Sequence, residues 1–437
     1  MTNQHPEHVI VIGAGAVGLS TAWHLQRHGI GVTVLDRAGV AADSSWGNAG
    51  WLAPALTLPL PEPAVLRYGI RAIFDPASPV YVPPSADPRL LQFLLTFAAH
   101  CTPRRWESAM AAFAAVNRLA LGAYDELSDG GVAEPVRTAR PFLAAFATEA
   151  DRQVLADEFR YASSRGAPID HAFLTGDQAR AVEPVLGEGV GAAITIEGQR
   201  FIDPPRFVNS LAAVVRARGG TIVTGFEGET IRDHGRSGVE VRDRRGAAHR
   251  ADAVVIASGA RLNALARPFG VRTIVQAGRG YSFSVRPERM PENPVYLPTQ
   301  RVACTPLQGR FRVAGMMEFR RPDAPLDPRR VNAIVDAARP MLTGIDWDVR
   351  EEEWVGSRPC TADGLPLIGG TRSPRVHVAG GHGMWGIALG PLTGRLLADQ
   401  ITGHPTPAVM AHFDPLRQGG IRRAPQRRVM ASAGRPA

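Results

Sequence analysis

Residues 8–36 read HVIVIGAGAVGLSTAWHLQRHGIGVTVLD. His8–Ile12 is a short apolar run, as expected of a strand buried on both faces of a parallel sheet. Gly13-Ala14-Gly15-Ala16-Val17-Gly18 follows, then Leu19–His28 with helical spacing, its Leu19, Ala22, Trp23 and Leu25 able to face a sheet. Gly29 and Gly31 end that helix, and Val32–Leu35 is a second apolar strand with Asp36 at its end. Strand, glycine turn, helix and strand make a complete βαβ unit. Gly13 permits a tight turn, Gly15 lets backbone approach a pyrophosphate, and Gly18 lets the helix pack close to the strand. The helix N-terminus adds N–H groups and the positive end of its dipole. Asp36 is placed to accept hydrogen bonds from ribose hydroxyls and would repel a 2′-phosphate. This unit leaves FAD and NAD both open.

Composition narrows the field. All 49 basic residues of the 437 are arginine. A chain without lysine builds no Schiff-base enzyme, no P-loop NTPase and no protein kinase. Hydrophobic residues at 45% and charged residues at 21% are globular values, so a sizeable core is expected and wholesale disorder is excluded. The length corresponds to roughly two or three domains, or one large two-part fold. Residues 417–437 carry six arginines and no acid, so the net charge of +8 falls to +2 for the rest of the chain. The three cysteines, Cys101, Cys304 and Cys360, are far apart with no CxxC, which suits a reducing cytoplasm and neither zinc nor a disulfide framework. Residues 1–8 run straight into the first strand, leaving no room for a signal peptide, and no run of 18 apolar residues exists.

Between residues 54 and 88 stand nine prolines, which predict a long irregular excursion from the first domain. Helices are expected over Arg89–Ala99, Glu107–Leu127, Ala150–Arg165 and Thr175–Val182. Phe201–Arg218 contains an amphipathic helix with Asp203 as its N-cap before proline. Thr221–Thr224, Val239–Val241 and Ala253–Ala257 read as strands returning to the first sheet. Residues 271–320 alternate as antiparallel strands, Val331–Leu342 is a helix, and Val376–Ala379 is a buried strand leading to a last helix through about Ile401.

Seven segments in order carry a resemblance: VIGAGAVGLSTAWHL, SSWGNAGW, FIDPPRF, VVIASGA, GRGYSFSV, GSRPCTADGLPLIGG and GGHGMWGIALGP. From about residue 8 to 416 the chain resembles the glycine oxidase/D-amino-acid oxidase superfamily of FAD enzymes, most of all its bacterial D-amino-acid dehydrogenase branch. The resemblance implies an α/β (α+β) fold: a discontinuous Rossmann-type FAD-binding domain over 1–53, 196–265 and 355–416, and a substrate domain of mixed antiparallel sheet and helices over 54–195 and 266–354. Residues 417–437 would be a basic, disordered tail.

The resemblance also implies roles. Gly13 to Gly18, Asp36 and Arg37 would hold the ADP half of FAD. Ser45, Asn48, Ala49, Gly50 and Gly259 would line phosphates and flavin. Gly381, Gly383, Met384, Trp385 and Gly386 would form a turn under the flavin pyrimidine, where a helix dipole stabilises anionic reduced flavin. Arg358 would clamp the substrate α-carboxylate in a planar fork. Tyr281 would stand beside the substrate pocket. His382 is either a base or, since hydride loss from a neutral amine needs none, a structural residue. Where some relatives attach flavin through cysteine this chain has Gly356, so FAD is expected to be non-covalent.

The implied activity is oxidative deamination of a small D-amino acid, with electrons passed to a quinone or another carrier. Two readings stand beside it: an oxygen-using oxidase of glycine, sarcosine or hydroxyproline type, and, on the strength of the basic tail alone, a tRNA-directed flavoprotein. The sarcosine-oxidase branch activates oxygen with a lysine, which this chain lacks. No nucleic-acid partner is expected in the main reading. The apolar stretch Arg89–Ala99 would suit peripheral contact with the inner face of a membrane, but a buried domain helix is the assignment preferred for it.

Overall fold

The computed structural model describes residues 5–63, 78–164 and 168–417. Its framework is a six-stranded sheet in the order Thr221–Thr224, Gly31–Asp36, His8–Ile12, Ala253–Ile256, Val376–Gly380 and Leu367–Gly370. The first five are parallel and the last is antiparallel. The apolar run at residues 9–12 lies at the centre, with Val9, Ile10 and Val11 fully buried. Helix Ala16–Arg27 follows it and packs against the last helix, Gly386–Ile401.

The second framework is a larger, mainly antiparallel sheet. Strands Glu351–Thr361, Val275–Val285, Arg310–Phe319, Val302–Leu307 and Val295–Leu297 are followed by Phe142–Phe146, Ala192–Ile196 and His171–Thr175, and Val80–Tyr81 pairs with Arg310–Phe319. One face of this sheet buries Tyr281, Phe283, Phe311 and Val313 against helix Pro328–Ala338, through Val331, Ile334 and Val335.

Several expected placements are corrected. Glu107–Leu127 was grouped with the substrate domain, but helix Pro103–Asp129 puts Ala109, Phe113, Val116 and Tyr124 into the core of the dinucleotide half, beside Leu19, Leu392 and Leu396. The boundary expected at residue 355 falls inside Glu351–Thr361, a strand of the larger sheet. Val239–Asp243 does not return to the first sheet; it is the middle of a separate three-stranded antiparallel sheet with Gly228–Asp233 and Ala248–Ala251. Asp203 stands at the N-cap of helix Pro204–Ala217, yet its side chain caps nothing and instead takes Arg310 Nη2 at 3.0 Å. A charged donor outcompetes a backbone N–H for a buried carboxylate.

Helix Pro88–His100 covers the stretch considered for membrane contact. Its Phe93 and Phe97 pack on Phe319, while Leu91 and Leu95 are exposed. Among the described residues, no helix is long and apolar enough to cross a membrane. The tail expected from residue 417 begins one residue later at the earliest. Arg417 is buried, bonds both carboxylate oxygens of Asp363 at 2.8 and 3.1 Å, and donates to the carbonyls of Leu365 and Pro366. Residues 418–437 lie outside the described residues, as does part of the proline-rich excursion.

Candidate functional site

The two sheets border one cleft of about 2670 Å³. A pocket for one small molecule occupies about 300–1,000 Å³, so this cleft has room for a dinucleotide and a substrate together.

The dinucleotide turn forms one end. Gly13 adopts φ +119°, and a Cβ there would sit 2.4 Å from the Ala257 carbonyl oxygen; one on Gly18 would sit 2.0 Å from that of Gly13. Only glycine fits either place. Ser45 Oγ accepts the Ala16 N–H at 3.1 Å, holding the 44–51 segment against the helix start. Asp36 accepts from the N–H groups of Ala14, Ala38 and Gly39 at 2.8–2.9 Å. A carboxylate offers about four lone-pair sites, so roughly one remains for a hydroxyl in the cleft. Arg37 lies at the rim, paired with Asp43 at 3.1 Å.

The middle of the cleft is closed by the turn before the last helix. Gly383–Trp385 makes a single 3-10 turn that runs into Gly386–Ile401, so the N-terminus of a long helix points there. Trp385 Nε1 donates to the Leu58 carbonyl at 2.7 Å, which anchors the proline-rich excursion on this turn. His382 Nε2 bonds Thr393 Oγ1 at 2.8 Å, and burial lowers the imidazole pKa to about 4. A ring so bonded and so reluctant to take a proton is built as a strut. The base reading of His382 has no support in this geometry.

Arg358 sits opposite on strand Glu351–Thr361. Its guanidinium lies across Gly280, where a Cβ would come within 2.2 Å of Cζ. Nη1 donates to the Met316 carbonyl at 2.5 Å. Arg358 faces the cleft and meets no carboxylate among the described residues. Met316 is one of few non-glycine residues with left-handed backbone, at φ +63°. That bend turns its carbonyl toward the guanidinium.

Tyr281 is not in the cleft. It lies on the opposite face of the sheet, its hydroxyl donating to the fully buried Glu318 at 2.6 Å. Side chains alternate along a strand, so Gly280, under Arg358, and Tyr281 cannot share a face. Ala14, Gly50 and Gly381 also stay out of the cleft lining, as backbone turns behind it. Gly50, at φ +80°, donates its N–H to Asn48 Oδ1 at 2.8 Å, which fixes the loop. The other predicted residues, from Gly13, Gly15, Ala16, Val17 and Gly18 through Asn48, Ala49 and Gly259 to Met384 and Gly386, are brought together.

Sequence reasoning missed the far end of the cleft. Glu62, Glu158, Tyr296 and Arg301 line it. Burial, with Glu62 adding to it, pushes the Glu158 carboxyl up to about 7. Arg301 is a second non-glycine residue with positive φ, at +55°, next to the Val302↔Gly315 pair that precedes Met316. These four come from segments with no shared motif, so no spacing could announce them.

The residues fit a flavin dinucleotide: a glycine cradle, a helix N-terminus facing the ring region, and enough length between them. The place of a covalent attachment is empty of thiol, since Gly356 lies against Trp354 and a Cβ there would sit 1.9 Å from the ring. All three cysteines are buried outside the cleft lining, and burial pushes the thiols of Cys101 and Cys360 up to about 12. None supplies a thiolate near neutral pH.

The family model described as FAD dependent oxidoreductase matches residues 8–400. The chain belongs to this family. As an FAD dependent oxidoreductase it holds its FAD without a covalent bond. It is 31% identical over 407 residues to a D-amino acid dehydrogenase of Methylobacterium radiotolerans, covering 91% of this chain and 96% of that one. Among solved structures it is similar to glycine oxidase from Geobacillus kaustophilus, with TM-score 0.72 and 22% identity over 95% of this chain and 100% of that one. It is also similar to an iminodiacetate oxidase from a Chelativorans species, with TM-score 0.67 and 20% identity over 93% and 98%. These structural likenesses show a shared fold for the FAD dependent oxidoreductases.

Proposed function

We propose that this oxidoreductase is a dehydrogenase of small D-amino acids. The observation that carries the reading is Arg358: a guanidinium in the cleft, fixed on the Met316 carbonyl and free of any carboxylate among the described residues. Such a group recognises a substrate carboxylate bidentately, and the α-carbon is then oriented by one rigid fork. Bound FAD supplies the two-electron acceptor. With FAD bound, the α-C–H of the neutral amine would give up hydride to it, leaving an iminium that sheds its N–H proton as the imino acid, and water would hydrolyse this to a 2-oxo acid and ammonia. The two electrons would then pass to a quinone or another carrier.

The identity to curated D-amino acid dehydrogenases supports the D-amino acid and the carrier. A cytoplasmic place of work is supported by three thiols with no disulfide. The RNA-directed reading loses ground, because one of its six tail arginines is the buried Arg417.

The deciding experiment is anaerobic bleaching of the flavin by a panel of D-, L- and N-alkyl amino acids, followed by reoxidation with a soluble quinone or with oxygen. Bleaching by D-amino acids and fast reoxidation by quinone are expected. Bleaching only by N-alkyl or L-amino acids, or faster reoxidation by oxygen, would sink the proposal.

A further inference from the structure

The helices that begin at the two cofactor turns run side by side, and their C-termini converge on the side of the molecule away from the cleft. Helix Ala16–Arg27 ends with His28 as its C-cap. Helix Gly386–Ile401 carries Asp399 in its last turn and Thr402 as its C-cap, with His404 just beyond. His28 Nε2 and Asp399 Oδ1 are 3.2 Å apart. The rings of His28 and His404 lie 4.7 Å apart, centre to centre. One ligand atom from each of His28, Asp399 and His404 comes within 4.8 Å of the others.

We infer that His28, Asp399 and His404 form a binding site for a divalent transition metal of the zinc class, which clamps the C-termini of the two cofactor-bearing helices. Two imidazoles and one carboxylate are an established donor set for zinc, cobalt or nickel. Tetrahedral zinc with bonds near 2.0–2.1 Å sets its ligands roughly 3.3 Å apart. The His28–Asp399 pair is already at that distance, and with the three ligand atoms within 4.8 Å of one another, closing the set needs a movement of about 1.5 Å by the same geometry. His404 Nδ1 bonds Thr402 Oγ1 at 2.8 Å. This leaves Nε2 for the metal and orients the ring from behind, as the outer partners of metal-bound histidines do. The fourth position falls to water or to His5, whose ring lies against Gly403.

Two helix C-termini add their partial negative charge to that of Asp399. The charged groups around the site are accounted for elsewhere: Arg27 and Arg395 both pair with Glu126, and His24 is buried with its pKa lowered to about 3 by burial and by neighbouring cations. A metal here would fix the register of two helices whose other ends are Gly13–Gly18 and Gly383–Gly386. Its binding is therefore linked to the stability of the flavin-loaded fold.

The test uses flavin-loaded, full-length enzyme dialysed against EDTA, titrated with zinc chloride by calorimetry and with cobalt chloride by visible spectroscopy. Expected are one zinc per chain, a Tm raised by about 3 °C at saturation, and the intense visible band of tetrahedral cobalt. Asp399→Asn and His404→Ala should each weaken zinc binding about a hundredfold or more and abolish the cobalt band. Both variants should keep flavin content and turnover, since neither residue is near the cleft. Zinc binding that is unchanged in both variants, or absent from the wild-type protein, would overturn the site. Octahedral-type weak cobalt absorption in the wild-type protein would overturn it equally.

Discussion

The Tyr124 hydroxyl donates to the Ile387 carbonyl at 2.7 Å, and this is the acceptor that Pro391 leaves without a helical partner. In a helix the N–H of residue 391 would serve residue 387. Proline has no N–H, and Pro391 lies inside helix Gly386–Ile401. Tyr124, from helix Pro103–Asp129, fills the vacancy in a fully buried place. Tyr124→Phe keeps the packing and strands that carbonyl. A buried unsatisfied acceptor costs about 1–3 kcal/mol. Urea denaturation should show that loss, and flavin should dissociate more readily, because Ile387 stands in the first turn of the helix that lines the cleft.

Arg358 gives a sharper kinetic prediction. Arg358→Ala should raise KM for the amino acid by about 30-fold or more, the scale of losing one partner of a buried charge pair. The flavin spectrum should stay unchanged. Gly280→Ala should do the same indirectly, since its Cβ would come within 2.2 Å of the guanidinium carbon and push it off the Met316 carbonyl. Steady-state kinetics with measured flavin content separates this from cofactor loss.

Arg417 and Asp363 form a buried ion pair that ties the last described residue to the strand connection before Leu367–Gly370. Arg417→Ala leaves Asp363 without its cation. Breaking one partner of such a pair costs about 3–5 kcal/mol, so chemical denaturation should shift strongly. An exposed arginine such as Arg236, replaced by alanine as a control, should leave the midpoint unchanged.

Acid should destabilise the fold through its buried histidines. Burial lowers His377 and His382 to about 4 and His24 to about 3. The unfolded chain therefore binds more protons at these three sites below the ordinary histidine pKa near 6.5. Their contribution is complete above that pH and is lost as pH falls from 6.5 toward 4, by up to about 1.4 kcal/mol per pH unit for each group. Glu158, raised to about 7, acts with the opposite sign in that window, and Glu183, also raised by burial, shares its sign. The three lowered histidines outweigh Glu158 and leave stability falling with acidification. Tm measured from pH 7 to pH 5 should fall, and His377→Asn should flatten the slope.

The parts of the molecule legible in the sequence are those whose partners are local. The βαβ unit needs only strand periodicity, three glycines and an acid, all within residues 8–36. Arg358 and the 381–386 turn were visible through short motifs. Helix Pro103–Asp129 was recognised as a helix but misplaced, because Tyr124 answers a proline more than 260 positions further along the chain. The alternation over residues 271–320 was legible as antiparallel strands, and Tyr281 and Phe283 share one face of strand Val275–Val285. Alternation fixes that two residues share a side and is silent on which side meets the cleft, so Tyr281 was put on the wrong one. Asp203 was read as a cap because nothing nearby in the sequence foretells Arg310.

The order of the first sheet has a consequence for biosynthesis. Strand Val376–Gly380 inserts between two strands, and the turn and helix behind it are among the last described residues. A chain still on the ribosome presents its glycine turn early but lacks the turn and helix that close the middle of the cleft. Half of the nucleotide cradle is thus ready hundreds of residues before the other half is made. A chain cut before Gly386 would keep the glycine turn and lose the second wall of the cleft.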